Sequence, residues 1–118
     1  IEIAAKNGGN TRGDAKFDLD GASGTLAYYA GLGAAMPAAF HLPDGDGIQL
    51  TRSPRFHGQH VWTSRPGVAV HINAFNFPAW GMGEKMACAL LAGVPVIEKA
   101  GTASAMLAHR LAQIVVES

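Results

Sequence analysis

The sequence predicts an α/β protein: part of an open parallel sheet, with an antiparallel hairpin beside it. Three observations lead there. Residues 67–118 alternate two short apolar runs, Val68–Asn73 and Pro95–Lys99, with two stretches of helical periodicity. Short, nearly continuous apolar strands separated by helices are typical of central parallel strands, and their crossover is expected to be right-handed. Residues 37–66 instead carry strand formers broken by Pro43-Asp44-Gly45-Asp46-Gly47 and Pro66-Gly67, the punctuation of hairpins. The chain's 118 residues, 48% hydrophobic and 15% charged, match a packed domain or part of one, far from a disordered composition.

Each element has a local reason. Residues 1–6 read as the end of a helix, closed by Asn7-Gly8-Gly9-Asn10. From Asp14 to Met36, Phe17, Leu19, Leu26, Tyr28, Tyr29 and Leu32 recur at helical spacing. Gly21, Gly24, Gly31 and Gly33 weaken that helix by about 1 kcal/mol each, and so many glycines predict close approach to neighbouring backbone. Pro37 ends it. Phe40–Leu42 and Ile48–Thr51 read as the arms of a hairpin turning through Pro43–Gly47, and His60–Arg65 as a further strand. After Val68–Asn73, Pro78 falls where a first helical turn tolerates proline. Trp80–Ala92 is then helical, with Met82, Met86, Ala89 and Leu90 on one side and Gly93 as its stop. Pro95–Lys99 is the second buried strand, and Thr102 opens a helix that runs to Ser118. The expected divisions are 1–36, helical; 37–66, hairpin; and 67–118, strand-helix-strand-helix. The last is half of a Rossmann-like nucleotide-binding sheet.

Composition removes several function classes. Nine basic and nine acidic residues give zero formal charge and no basic stripe, so no nucleic-acid partner is expected. No apolar run approaches the ~20 residues that span a bilayer, and no signal peptide opens the chain. A single cysteine, Cys88, rules out an intrachain disulfide and fits a reducing, cytoplasmic setting. The chain starts on Ile1, in what reads as a helix tail, and ends on a helical pattern without a stop. It reads as an internal piece of a longer chain.

Several motifs dissolve on inspection. Gly31-Leu32-Gly33-Ala34-Ala35-Met36 imitates a dinucleotide fingerprint but follows a helix and precedes Pro37, where the fingerprint requires strand before and helix after. Asp18, Asp20 and Gly21 lack the later ligands of a calcium loop. Arg12-Gly13-Asp14 is a three-letter match. His57 and His60 point to opposite faces of extended chain, and no Cys or carboxylate joins them or His71 at zinc spacing, so no metal is expected. His71 reads as a hydrogen-bonded core or interface histidine, and Cys88 as a small buried hydrophobe. What remains is at the strand ends. Ligands of open parallel sheets bind outside the carboxyl ends of the strands, which here carry Asn73, Asn76 and Lys99. Amides and a cation converging there would suit a phosphate-bearing or hydroxyl-rich ligand and a reacting carbonyl.

The segments INAFNFPAW and ACALLAGVPVIEKAGTASA resemble the aldehyde dehydrogenase superfamily: a strand, an Asn-Phe-Pro segment, a helix ending in Ala-Gly, and a strand ending in Lys. With NTRGDAKFDLDGASGTLAYYAGLG and the run from His60 to Gly93, the resemblance covers essentially all 118 residues. It closely resembles the semialdehyde dehydrogenases of aerobic aromatic degradation through CoA thioesters, of the benzoyl-CoA and phenylacetate routes. It implies an oxidoreductase using NADP, or NAD, on an aldehyde, in a homodimer or homotetramer. Asn76 matches the family's oxyanion-hole asparagine. Ile72, Asn73, Ala74 and Phe75 match the segment along the cofactor's ribose and pyrophosphate. Lys99, Gly101 and Thr102 match the adenosine-ribose segment. Thr102 stands where NAD-preferring members often have Glu, and it would tolerate a 2′-phosphate beside Lys99. Residues 37–66 match the bridging, oligomerising sheet. The resemblance also implies that the nucleophilic Cys and general-base Glu lie beyond residue 118 and that these 118 residues alone are inactive. Lys99-Ala100 replaces the family's usual Lys-Pro, with Glu98 before it turned away from the sugar. The alternative is a non-catalytic nucleotide-binding or assembly module from a truncated paralogue.

Overall fold

The computed structural model describes all of residues 1–118. A π-helical turn, Ala4–Gly8, is stopped by Gly9, whose φ of 72° lets its N–H reach the carbonyls of Ala4 and Ala5. Helix α1, Arg12–Ala35, starts at Thr11, whose side-chain oxygen accepts the Asp14 N–H at 3.1 Å. It ends at Met36, before Pro37. Strands β1, His41–Gln49, and β2, His57–Thr63, form an antiparallel ribbon. Then follow β3, Ala69–Ile72; α2, Pro78–Leu91; β4, Val96–Lys99; a 3₁₀ turn, Thr102–Ser104; and α3, Ala105–Glu117. β3 and β4 pair in parallel, with Ala69 opposite Val96 and Ile72 opposite Lys99. The parallel neighbours predicted at 68–73 and 95–99 are therefore present.

The hairpin differs from expectation. Pro43–Gly47 does not reverse the chain. Asp44 pairs with His60 and Ile48 with Gly58, so Gly45, Asp46 and Gly47 together face only Gln59. This is a bulge inside one long strand, with Gly45 at φ 69° and its carbonyl accepting from Gln59 Nε2 at 3.0 Å. Phe40–Leu42 and Ile48–Thr51 are thus neighbouring pieces of one arm. The reversal lies at Leu50–Phe56, closed by the Leu50 N–H to Phe56 carbonyl bond of 2.9 Å and by Thr51 and Ser53 side chains bonding local backbone. Left-handed glycine serves a bulge as well as a turn, and only the pairing partner decides which.

The core lies between the helices. Ala4, Ala15, Ala22, Ala79 and Leu107 form one buried cluster; Met82, Met86 and Ala108 form another. Small residues let α1 and α2 approach closely: a Cβ added at Gly83 would stand 3.3 Å from that of Ala22. The glycines of α1 divide. Gly21 lies under the Trp80 ring and Gly33 against Leu91, both side chains and not backbone, whereas Gly24 and Gly31 meet nothing within 4 Å. The two parallel strands were expected to be buried. They are covered on the helix side only; Val70, Ile72 and Ile97 are exposed on the other. The β1–β2 ribbon extends the molecule to 68 Å in length against 24 Å in either other direction. No helix is long and apolar enough to cross a membrane.

Candidate active site at the strand exits

The exits of β3 and β4 are held together by backbone. The Asn73 N–H donates to the Lys99 carbonyl at 3.0 Å, continuing the parallel pairing one residue further. Just beyond, Gly101 lies against Phe75, where a Cβ would stand 3.0 Å from the Phe75 Cα and 3.1 Å from its N. A side chain there would require the Phe75 backbone to give by a few tenths of an ångström. This contact joins two of the segments named from sequence, Ile72–Phe75 and Lys99–Thr102, into one rim.

Side chains on the rim part company. Asn73 is 7% exposed and fully engaged: its Nδ2 donates to Glu98 Oε2 at 2.7 Å and its Oδ1 accepts from Lys85 Nζ at 2.6 Å. His71 joins from the same face, its Nδ1 2.7 Å from Glu98 Oε1. An ionised carboxylate only accepts, so the imidazole supplies the proton of that bond. The network His71–Glu98–Asn73–Lys85 is therefore satisfied within itself, and His71 is hydrogen-bonded as its strand position predicts. Lys99 leaves β4 on the opposite, open face from Glu98, as strand alternation requires. The expected convergence of Asn73 and Lys99 is therefore corrected: their side chains depart on opposite sides of the sheet. Ala74, Phe75 and Thr102 are exposed, and Ile72 is 73% exposed.

Asn76 behaves differently from Asn73. It is exposed, its amide engages no other residue, and it borders a shallow cleft with Asn10, Thr11 and Asp14. It stands two residues before the first residue of α2. That helix start has an unusual cap. Phe77, at the N-cap, offers no side-chain acceptor, and Pro78 has no N–H. The next two N–H groups, of Ala79 and Trp80, donate to Asp18 of α1 at 3.0 and 2.8 Å. Asp18 is 1% exposed. Its partners lie 61 and 62 residues away in sequence, so the Asp18-Asp20-Gly21 pattern gave no hint of them. The available signal was an acid among Ala15 and Ala22 on one helical face.

Cys88 is not the buried hydrophobe expected. It is exposed, and its thiol donates to the Glu84 carbonyl at 3.2 Å. The buried stripe of α2 runs through Ala79, Met82, Gly83, Met86 and Ala87, and Cys88 lies one step around the helix from it. It lines a cleft with Tyr29, His71 and Lys85. The hydrogen bond with Cys88 pushes the Tyr29 phenol above its ordinary value. No three His, Cys, Asp or Glu side chains stand close enough to hold a metal ion.

The other side of the rim is open. Ile72 and Phe75 present apolar surface, the glycine at 101 keeps the exit low, and Lys99 forms no ion pair. Adjacent parallel strands, each leading through an exposed exit into a helix, define an α/β protein with its ligand edge at the strands' carboxyl ends. The chain belongs to the aldehyde dehydrogenase family, whose model matches residues 1–118. It is 51% identical, over all 118 residues, to the 3,4-dehydroadipyl-CoA semialdehyde dehydrogenase of Aromatoleum evansii. The chain spans 23% of that protein's length.

Proposed function

We propose that the chain is the dinucleotide-facing part of an NADP-dependent aldehyde dehydrogenase that oxidises an aldehyde, carried on a CoA thioester, to the acid. The observation that carries this reading is the contrast between the two asparagines. Asn73 has every polar atom of its side chain in use within the fold, whereas Asn76 holds a free amide at the start of α2. A primary amide with unused N–H groups at a strand exit is equipped to donate to an oxygen that gains charge. When a thiolate attacks the aldehyde carbon, the carbonyl oxygen becomes an oxyanion, and Asn76 Nδ2 donates to it. Such donors act through being in place before the charge develops.

The remaining roles follow from the same rim. Ile72, Ala74 and Phe75 pack along the dinucleotide, with Asn73 contributing its backbone. Lys99 and Thr102 meet the adenosine ribose, and Gly101 gives it room. The bound dinucleotide supplies the hydride acceptor. A positive Lys99 beside a neutral Thr102 favours the 2′-phosphate of NADP. Cys88 donates its thiol to the helix carbonyl of Glu84 and sits on the Tyr29 side of α2. The family resemblance implies that the thiolate and the general base come from residues outside these 118. The name and identity of the Aromatoleum relative support a CoA-linked semialdehyde as substrate. The exposed ribbon supports a homodimer or homotetramer built along its edges.

The test is kinetic, on the full-length protein. Asn76→Ala should lower kcat by about 10²–10³ while the KM for the dinucleotide stays within about twofold. An unchanged kcat refutes the oxyanion role. A full-length protein that binds dinucleotide but oxidises no aldehyde returns the chain to the non-catalytic module.

A further inference from the structure

We propose that Asp18 is a positioning residue for the reaction: it fixes the start of α2 and so fixes the Asn76 amide against the substrate oxygen. The inference rests on the oxyanion reading of Asn76. Nothing holds the Asn76 side chain directly, so its aim depends on the backbone on either side of it. Upstream, the backbone is tied by the Asn73 N–H to Lys99 bond. Downstream, it is tied through Phe77 and the start of α2.

Asp18 makes that second tie. The first four N–H groups of a helix lack partners within it. In α2 these belong to Phe77, Pro78, Ala79 and Trp80, since the Gly81 N–H makes the first helical bond, to the Phe77 carbonyl at 2.9 Å; Phe77 is the N-cap itself, and proline at 78 has no N–H. Ala79 and Trp80 are left, and one buried carboxylate takes both, one oxygen each. A carboxylate at a helix N-terminus also meets the positive end of the helix dipole. No residue of α2 or its entry loop supplies this cap, so the position of the helix start is set by α1.

Neighbouring contacts strengthen the clamp. Phe17, next to Asp18, packs edge-on against Phe77 at 6.0 Å and Trp80 at 5.4 Å between ring centroids. Gly21, one turn further along α1, leaves the space that the Trp80 indole fills. Phe17, Asp18 and Gly21 thus grip residues 77–80 from one face of α1. Asn76 is the residue next to that grip.

Kinetics of the full-length protein separate this role from plain structural support. Asp18→Asn keeps the shape but puts an N–H₂ where an N–H must be accepted. It should lower kcat by about tenfold or more, because displacement of a catalytic group by about 1 Å can cost 10² in rate. The dinucleotide KM should stay within about twofold. In an Asn76→Ala background, Asp18→Asn should cost less than about twofold further in kcat, because groups that act as one unit are not additive. A fall in thermal midpoint common to both backgrounds reports packing alone. Phe17→Leu loosens the same grip and leaves the cap intact; it should show a smaller kcat loss with the same dependence on Asn76. It also serves if Asp18→Asn does not fold. Equal kcat losses in the two backgrounds, or none, with Asn76→Ala itself strongly impaired, overturn the positioning role and leave the oxyanion reading standing. Full kcat in Asn76→Ala overturns both.

Discussion

Replacing single glycines of α1 by alanine tests the packing of the helices against the sequence-level expectation for glycine. Alanine in place of glycine favours a helix by about 1 kcal/mol. At Gly24 and Gly31 a new Cβ meets nothing within 4 Å, so that gain should appear nearly undiminished. At Gly21 the new Cβ would stand 2.9 Å from Trp80 Cε2 and closer still to two other ring atoms. The indole has no easy retreat, being packed against Phe17 and against Phe77 at 6.4 Å. Overpacking of this kind costs about 1–3 kcal/mol, so Gly21→Ala should lose about 1 kcal/mol net. The gap between Gly21→Ala and Gly24→Ala should therefore be about 2 kcal/mol. Urea unfolding followed by circular dichroism measures it as a shift in midpoint at constant slope. Gly21→Ala as stable as Gly24→Ala, with an unchanged near-ultraviolet spectrum, refutes the account of the Trp80 seat.

Glu98→Ala should cost about 2 kcal/mol or more, because it strands the Asn73 and His71 donors in a mostly buried site; unfolding midpoints check it, and wild-type stability would show the network to be idle. Thr102→Glu in the full-length protein should shift the kcat/KM ratio toward NAD by about tenfold, through repulsion of the 2′-phosphate; an unmoved ratio removes Thr102 from cofactor choice. Trp62→Glu on the exposed ribbon should lower the assembly mass measured by light scattering. An unaltered mass would mean that the ribbon face is not part of the interface.

The legible part of the sequence was local. Pro78 at the first turn and Gly93 after the last mark α2 within two residues of the structure. The apolar runs at 68–73 and 95–99 contain β3 and β4 whole, and their pairing follows from the helix between them. Asn76 and Lys99 stood out because polar groups at strand exits have few structural reasons to be there. Long-range facts did not show. Asp18 meets its partners only after more than sixty residues, and no short window contains both. Pro43–Gly47 carries the strongest turn chemistry in the chain, yet its partner strand makes it a bulge. Apolarity predicts burial of both sheet faces, but the helices of this chain lie over only one. The apolar neighbours of Cys88 in sequence predict burial, but its angle on the helix wheel places it outside the buried stripe.

The polar network under the sheet has one more consequence, for alignment. β3 and β4 pair over only four residues each, and backbone bonding by itself distinguishes poorly between such short alignments. Sliding one strand by a single residue would turn Glu98 to the face of Ile72, away from His71 and Asn73. Sliding by two would restore the face but carry the carboxylate about 6.6 Å along the strand, so that it loses His71 in one direction and both donors in the other. Either slip leaves buried polar groups unanswered. The network thus acts as a lock on phase, and what it keeps in step are the two exits: the loop that aims Asn76 and the loop that carries Lys99 and Thr102.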